Sequence, residues 1–219
     1  MSDRGRKSQL YEQFARMGKA LANPLRLELI DVLAQGERSV EDLAMACGLK
    51  LSNTSAQLKV LSSTGLLKTR RDGTRVFYRL ADDSVHAFVE SMKLLAASSL
   101  AEVERAARDY LGDDRNLAPV TRPELAEMLD TGEVLVIDVR PEAEFEAGHI
   151  PGALSIPHDQ VADRLSQLPI EKTIVAYCRG RFCVMAPNAV RLLRGFGYDA
   201  RTLEDGLPEW RGSGLPVAS

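Results

Sequence analysis

Cysteine is scarce in this 219-residue chain: there are three, and two of them, Cys178 and Cys183, lie close together. So few thiols exclude the disulfide framework of a small secreted domain; in a reducing compartment they are reactive or simply buried. No apolar run approaches the ~18 residues that a membrane span needs, and no membrane partner is expected. The basic start, with Arg4, Arg6 and Lys7, has no apolar core behind it. That argues against a secretory signal and for a cytoplasmic location. Internal repeats and low-complexity segments are also missing, and the length suits one large domain or two small ones.

What is there is unevenly distributed. Residues 1–80 hold 14 Lys/Arg against 8 Asp/Glu, a net of +6, whereas residues 113–219 hold 11 against 17, a net of −6. A polyanion is therefore expected to meet the first half only. In residues 8–22, Leu10, Phe14, Met17 and Leu21 are spaced as on an amphipathic helix. Asn23 and Pro24 read as an N-cap and first helical position, opening a helix with Leu25, Leu29, Ile30 and Leu33. Ser39 and Asp42 form a shortened capping box for a helix that stops at Gly48. A further helix runs from about Ser52 to Ser63. Two β-prone runs then flank Asp72-Gly73, a hairpin signal. From Ser84 to Leu111 the apolar spacing predicts one long helix.

The polar stretch 112–119, bounded by Gly112 and Pro119, reads as a linker between domains at 1–111 and 120–219. Beyond it the pattern alternates. Apolar runs at Val134–Ile137, Ala153–Ile156, Thr173–Tyr177 and Ala200–Leu203 are separated by helical stretches, which predicts a central parallel sheet covered on both faces.

Helical geometry, at about 100° per residue, places Leu51, Thr54, Leu58 and Leu61 on one buried face of the 52–63 helix. Ser52, Asn53, Ala56 and Lys59 then point outward, with Ser55 and Gln57 on the flanks. Small polar groups and amides suit base edges, Lys59 suits phosphate, and Arg70, Arg71 and Arg75 of the hairpin suit backbone phosphates. The segments Leu21–Ile30, Leu43–Leu49, Ser52–Leu61 and Gly65–Leu67, taken together, resemble the ArsR family of winged helix-turn-helix repressors over about residues 8–95. The resemblance implies a mainly α domain that binds double-stranded DNA as a homodimer, with the first and last helices of the domain at the interface. Where family members carry a cysteine pair, this chain has Ser39 and Glu41. His86 and Glu90 offer one i,i+4 pair, short of a tetrahedral set, and Cys47 reads as a small buried hydrophobe. No metal or other cofactor is expected.

In the second half Asp138-Val-Arg140, Glu144 through Gly148-His149-Ile150-Pro151-Gly152, Cys178 through Cys183, and Gly195 through Leu203–Gly206 occur in that order. These landmarks resemble a single rhodanese domain, an α/β fold with a central parallel sheet. The resemblance implies that Cys178 is a persulfide-carrying nucleophile in the loop Arg179, Gly180, Arg181, Phe182 and Cys183. Local chemistry points the same way. A tight loop entering a helix that begins near Cys183, a start with which Pro187 is compatible, offers backbone N–H groups and the positive end of a dipole. Arg179 and Arg181 add charge, so the thiolate at Cys178 is expected to be favoured. The same features would attract an anionic sulfur donor such as thiosulfate or polysulfide. Phosphatases related to rhodaneses need an arginine six positions after the cysteine, and Val184 stands there. Cys183 is either a packing residue or a thiol that resolves a Cys178 persulfide. His149, Asp138 and Arg140 read as scaffold.

The expectation is a repressor that senses or processes sulfur at Cys178. Two alternatives stay open: a thiosulfate-type sulfurtransferase whose first domain serves dimerisation, and a metalloid-responsive repressor using Cys47 with other thiols.

Overall fold

The computed structural model describes residues 2–112 and 117–219. The chain divides into two compact units, Met1–Val89 and Glu90–Ser219, and the division falls inside a helix. Residues 113–116 of the expected linker lie outside the described residues, while Leu117 beyond them is buried.

In the first unit α1 (Asp3–Leu21) is followed by α2 (Pro24–Leu33), whose N-cap Asn23 accepts from the Arg26 N–H. A short β1 (Arg38–Ser39) leads into α3 (Val40–Ala46), which begins with the Ser39–Asp42 capping box. The turn after α3 closes because Gly48 adopts φ +63°. Its N–H reaches the Met45 carbonyl at 3.2 Å and the Leu49 N–H reaches Ala44 at 2.8 Å, the paired bonds of a glycine-terminated helix. Next come α4 (Leu51–Ser63), β2 (Leu67–Asp72) and β3 (Arg75–Leu80), with an antiparallel sheet ordered β1-β3-β2. Leu29, Ile30, Leu43, Leu58, Leu61 and Val89 are fully buried.

Three expectations are corrected here. Leu51, placed on the buried face, is 49 % exposed: it is the first residue of α4, ahead of the turn that packs through Thr54. The hairpin loop is Gly73-Thr74 rather than Asp72-Gly73, since Asp72 pairs with Arg75 across the ladder. The single helix expected over 84–111 is two, α5 (Asp83–Ser99) and α6 (Ala101–Leu111), broken where Leu100 takes the extended conformation φ −119°, ψ 108°.

The second unit contains the end of α5, then α6, α7 (Arg122–Thr131), β4 (Val134–Asp138), α8 (Glu142–Glu146), β5 (Leu154–Ser155), a 3-10 helix at Ala162–Gln167, β6 (Thr173–Tyr177), α9 (Met185–Gly195), β7 (Ala200–Thr202) and α10 (Leu207–Gly212). Its four strands are parallel in the order β5-β4-β6-β7. Side chains alternate across a strand, so Ile174, Ala176 and Cys178 enter the core cluster on one face, while Val175 and Tyr177 join Leu125, Leu203 and Trp210 on the other. Among the described residues no helix is long and apolar enough to cross a membrane.

Candidate functional site

The helix-turn-helix is formed by α3, the Gly48 turn and α4. On α4, Ser52, Ala56 and Lys59 are exposed, and Asn53, Ser55 and Gln57 are half-buried. The two amides are not idle: Gln57 Nε2 donates to Asn53 Oδ1 at 3.1 Å, and Arg26 of α2 donates to Gln57 Oε1 at 2.9 Å. Arg26 also donates to the Ala20 and Lys19 carbonyls, tying the end of α1 to the amide pair. Sequence reasoning missed Arg26, although it left a signal. A cation in the first turn of a helix opposes the macrodipole, so its presence there calls for other partners.

On the hairpin Arg70, Arg71 and Arg75 are all exposed. Arg70 is held by Glu37 at 2.9 Å and Asp72 at 3.4 Å, and lies over the Phe77 ring at 4.6 Å. Arg71 and Arg75 carry no ion pair among the described residues, which leaves them the better placed for a phosphate. Cys47 is half-buried rather than buried. His86 is buried on α5, and Asp31 of α2 offers an oxygen within 4.8 Å of it. Glu90, one turn further along α5, adds a third ligand atom within the same distance, one donor short of the four that a structural tetrahedral ion takes.

In the second unit the carboxyl end of β6 brings Cys178 to the place where open α/β sheets bind ligands. The floor beneath is a buried polar network. Arg140 Nε donates to Asp138 at 2.9 Å and its Nη2 to the Gly148 carbonyl at 2.8 Å; Tyr177 Oη donates to Asp138 and accepts the Ile150 N–H at 3.1 Å. Asp138 and Arg140 are wholly inaccessible. His149 bonds the Phe145 carbonyl at 3.0 Å and stacks on its ring at 3.7 Å. The turn at 148–150 and the start of the cysteine loop are thus pinned to one carboxylate.

Cys178 is 3 % exposed, and Gly180, Phe182 and Cys183 are half-buried. The loop closes with the Cys183 N–H on the Gly180 carbonyl at 3.1 Å. A side chain at Gly206 is impossible, because a Cβ there would lie 2.4 Å from the Arg179 carbonyl carbon. Backbone N–H groups do face the sulfurs, those of Ala186 and Gly180 at Cys178 and those of Met185 and Arg179 at Cys183. The expected balance at Cys178 is nevertheless reversed. Burial first, then the neighbouring thiol, pushes Cys178 well above the ordinary thiol range. Cys183 goes down to about 7, chiefly because the Cys178 thiol hydrogen-bonds to it. Burial thus favours the thiol at Cys178, and of the two sulfurs Cys183 is the one whose thiolate is favoured.

The two arginines do not supply the expected open positive charge either. Arg179 is paired with buried Glu144 at 2.6 Å, and Arg181 with Glu204 at 2.5 Å. Glu209, unremarked in the sequence, accepts the Gly206 N–H at 2.9 Å and is pushed up to about 7 by burial.

Comparison with known proteins covers both units. The rhodanese-like domain family matches residues 121–213 and a helix-turn-helix domain family matches residues 21–70. The chain is 50 % identical over 212 residues to the HTH-type transcriptional regulator Rv0324 of Mycobacterium tuberculosis, spanning 97 % of this chain and 93 % of that one. A sulfurtransferase of Allochromatium vinosum is 33 % identical over 92 residues, 42 % of this chain and 85 % of its own. Among solved structures, the homodimeric winged helix-turn-helix DNA-binding domain of Mb0332 from Mycobacterium bovis, a possible ArsR-family transcriptional regulator, is 46 % identical. It covers 47 % of this chain and 93 % of that one, with a TM-score of 0.42.

Proposed function

This chain belongs to the HTH-type transcriptional regulators that join an ArsR-type winged helix-turn-helix domain to a C-terminal rhodanese domain, and from that premise we propose that it is a repressor controlled by sulfur captured at Cys178. In this reading residues 1–111 bind double-stranded DNA as a homodimer in the cytoplasm, residues 112–119 link, and residues 120–219 hold the input. Ser52, Asn53, Ser55, Ala56 and Gln57 face bases; Lys59, Arg71 and Arg75 meet phosphates, and Arg70 joins them on leaving Glu37. The observation that carries the proposal is that Cys178 and Cys183, in the loop at the carboxyl end of β6, both line one cavity, in a chain whose DNA-reading half has Ser39 and Glu41 where sensing thiols would stand.

The chemistry is that of thiol–disulfide exchange. A proton passes from Cys178 to Cys183, and the Cys178 thiolate attacks the outer sulfur of a sulfane donor. The donor's S–S bond breaks, its remaining sulfur leaves with the electron pair and takes the proton from Cys183, and Cys178 carries the persulfide. The Cys183 thiolate then attacks the inner sulfur, a disulfide forms, and hydrosulfide leaves with the electron pair of the broken bond. The two thiols are oxidised by two electrons and the sulfane sulfur is reduced, so no further oxidant is needed.

A useful switch takes about 1–3 kcal/mol of coupling, or about 5–150-fold in DNA affinity. DNA titrations with and without a polysulfide donor should show a change of that size in the native protein and none in Cys178→Ser. Equal affinity under all four conditions sinks the proposal. The likeness to a sulfurtransferase favours a second reading, catalysis of sulfur transfer; sustained turnover from thiosulfate to cyanide without specific DNA binding would select it.

A further inference from the structure

Above the two thiols lies an open cavity of about 530 Å³ lined by residues of the second unit. The larger part of its wall is apolar: Leu94 and Ala97 from α5, Ala107 and Leu111 from α6, and Phe182 and Leu203 from the sheet side. Cys178 and Cys183 both open onto it. A volume of this size is that of a pocket for a drug-sized organic molecule. A water takes about 30 Å³ of liquid, so an inorganic anion of five heavy atoms would fill roughly a third of the space at most.

Charge at the cavity is balanced within the protein. Arg181 is paired with Glu204 at 2.5 Å and Arg108 with Glu104 at 2.7 Å, and all four residues line the cavity. Arg179, which neighbours the reactive sulfur in sequence, is paired with Glu144. An anion entering here would have to break one of these pairs or go without a counter-charge, and would leave water for an apolar wall, a transfer that costs free energy unless it is compensated. An uncharged body of carbon does neither.

We propose that the cavity binds an organic sulfane-sulfur donor, a hydropersulfide R–S–SH whose R group is apolar and uncharged, and delivers its outer sulfur to Cys178. The inference rests on the reading of Cys178 as a sulfur acceptor and replaces the anionic donor that the sequence suggests. In the step, the Cys178 thiolate attacks the outer sulfur of R–S–SH; a new S–S bond forms at Cys178 as the donor's S–S bond breaks. The thiolate R–S⁻ leaves with the electron pair and the proton stays on the terminal sulfur, so the exchange is redox-neutral. The apolar wall holds R, and the leaving sulfur faces the solvent-exposed Arg181 and Glu204.

The test uses the full chain with adamantyl hydropersulfide and, separately, thiosulfate, and follows sulfur added at Cys178 by mass spectrometry. Filling the cavity with Ala107→Trp should lower the ratio of the hydropersulfide rate to the thiosulfate rate about tenfold, the scale on which apolar pockets discriminate. Ala97→Trp, on the other helical wall, should shift the ratio the same way and guards against one variant that does not fold. A ratio unchanged in both variants overturns the ligand assignment while sulfur capture stands. No sulfur on Cys178 from either donor in the native protein overturns sulfur capture as well.

Discussion

In the first unit Leu10, Tyr11 and Phe14 of α1 stand in solvent at 53–62 % exposure, whereas in the second Ile137, Ile174 and Val190 are each sealed at 0 %. Both sets come from regular apolar spacing. The second unit closes its parallel sheet with helices on both faces and pairs Arg140, Arg179 and Arg181 with its own carboxylates, leaving Leu95, Leu100 and Tyr110 of its leading helical segments exposed. The first unit leaves an apolar stripe on α1, continued by Met17, and keeps Arg71, Arg75 and Lys59 exposed. A surface with both features suits a protein completed by a second copy of itself and by a polyanion.

The comparison breaks most visibly at Asp138. Removing it in Asp138→Ala strands Arg140 in a site closed to solvent, and losing one partner of a buried ion pair costs about 3–5 kcal/mol. Urea unfolding of the second unit should show that loss, with the first unit's transition unmoved; a change within about 0.5 kcal/mol, the usual range for a surface substitution, would mean the network is not holding the fold. Next comes Phe14→Glu, which should leave both units folded. If the α1 stripe is a homodimer interface, it should weaken the dimer by about 2–3 kcal/mol, the value of one buried aromatic side chain. Sedimentation at graded concentration measures this, and an unchanged dimer, or a monomeric native protein, removes the stripe from the interface.

Most of what the sequence made legible was local. The capping box at Ser39–Asp42, the turn glycine Gly48 and the four apolar runs each carry their signal within a few residues. The break between α5 and α6 was hidden because the apolar spacing runs through Leu100 with neither glycine nor proline to mark it. What decided the sites was distant in sequence. Glu144 is 35 positions from the Arg179 it neutralises and Glu37 is 33 from Arg70, so no spacing rule reveals that these arginines are engaged. The loop's local features favoured a thiolate at Cys178, and burial by the whole domain outweighed them.

That reversal makes the third prediction. Alkylation follows the thiolate, and Cys183 in the native protein should react as pH rises through about 7. Cys178→Ala removes the hydrogen bond that is the largest cause of that lowering, so the Cys183 midpoint should move up by about one pH unit or more, roughly 1.4 kcal/mol per unit. An unmoved midpoint, read by iodoacetamide labelling and peptide mass, would show that the Cys178 thiol is not what lowers Cys183.

The smallest effect on folding should come from the wing, where it also sharpens the contrast most. Arg71→Ala touches an exposed strand residue with no ion pair among the described residues, and its stability should stay within about 0.5 kcal/mol of the native protein. Its DNA binding should not stay the same. Each phosphate contact releases counterions, so losing one should reduce the salt slope of log affinity by about 1 per DNA-bound arm, evenly across DNA sequences. Gln57→Ala should act differently, since its amide is held by Arg26 and Asn53 toward the exposed face of α4: affinity should fall by about 1–3 kcal/mol on a specific site with little change in slope. If Arg71→Ala instead changes sequence preference while Gln57→Ala changes only the slope, the hairpin reads the bases and α4 serves the backbone, and the roles assigned to the two elements are exchanged.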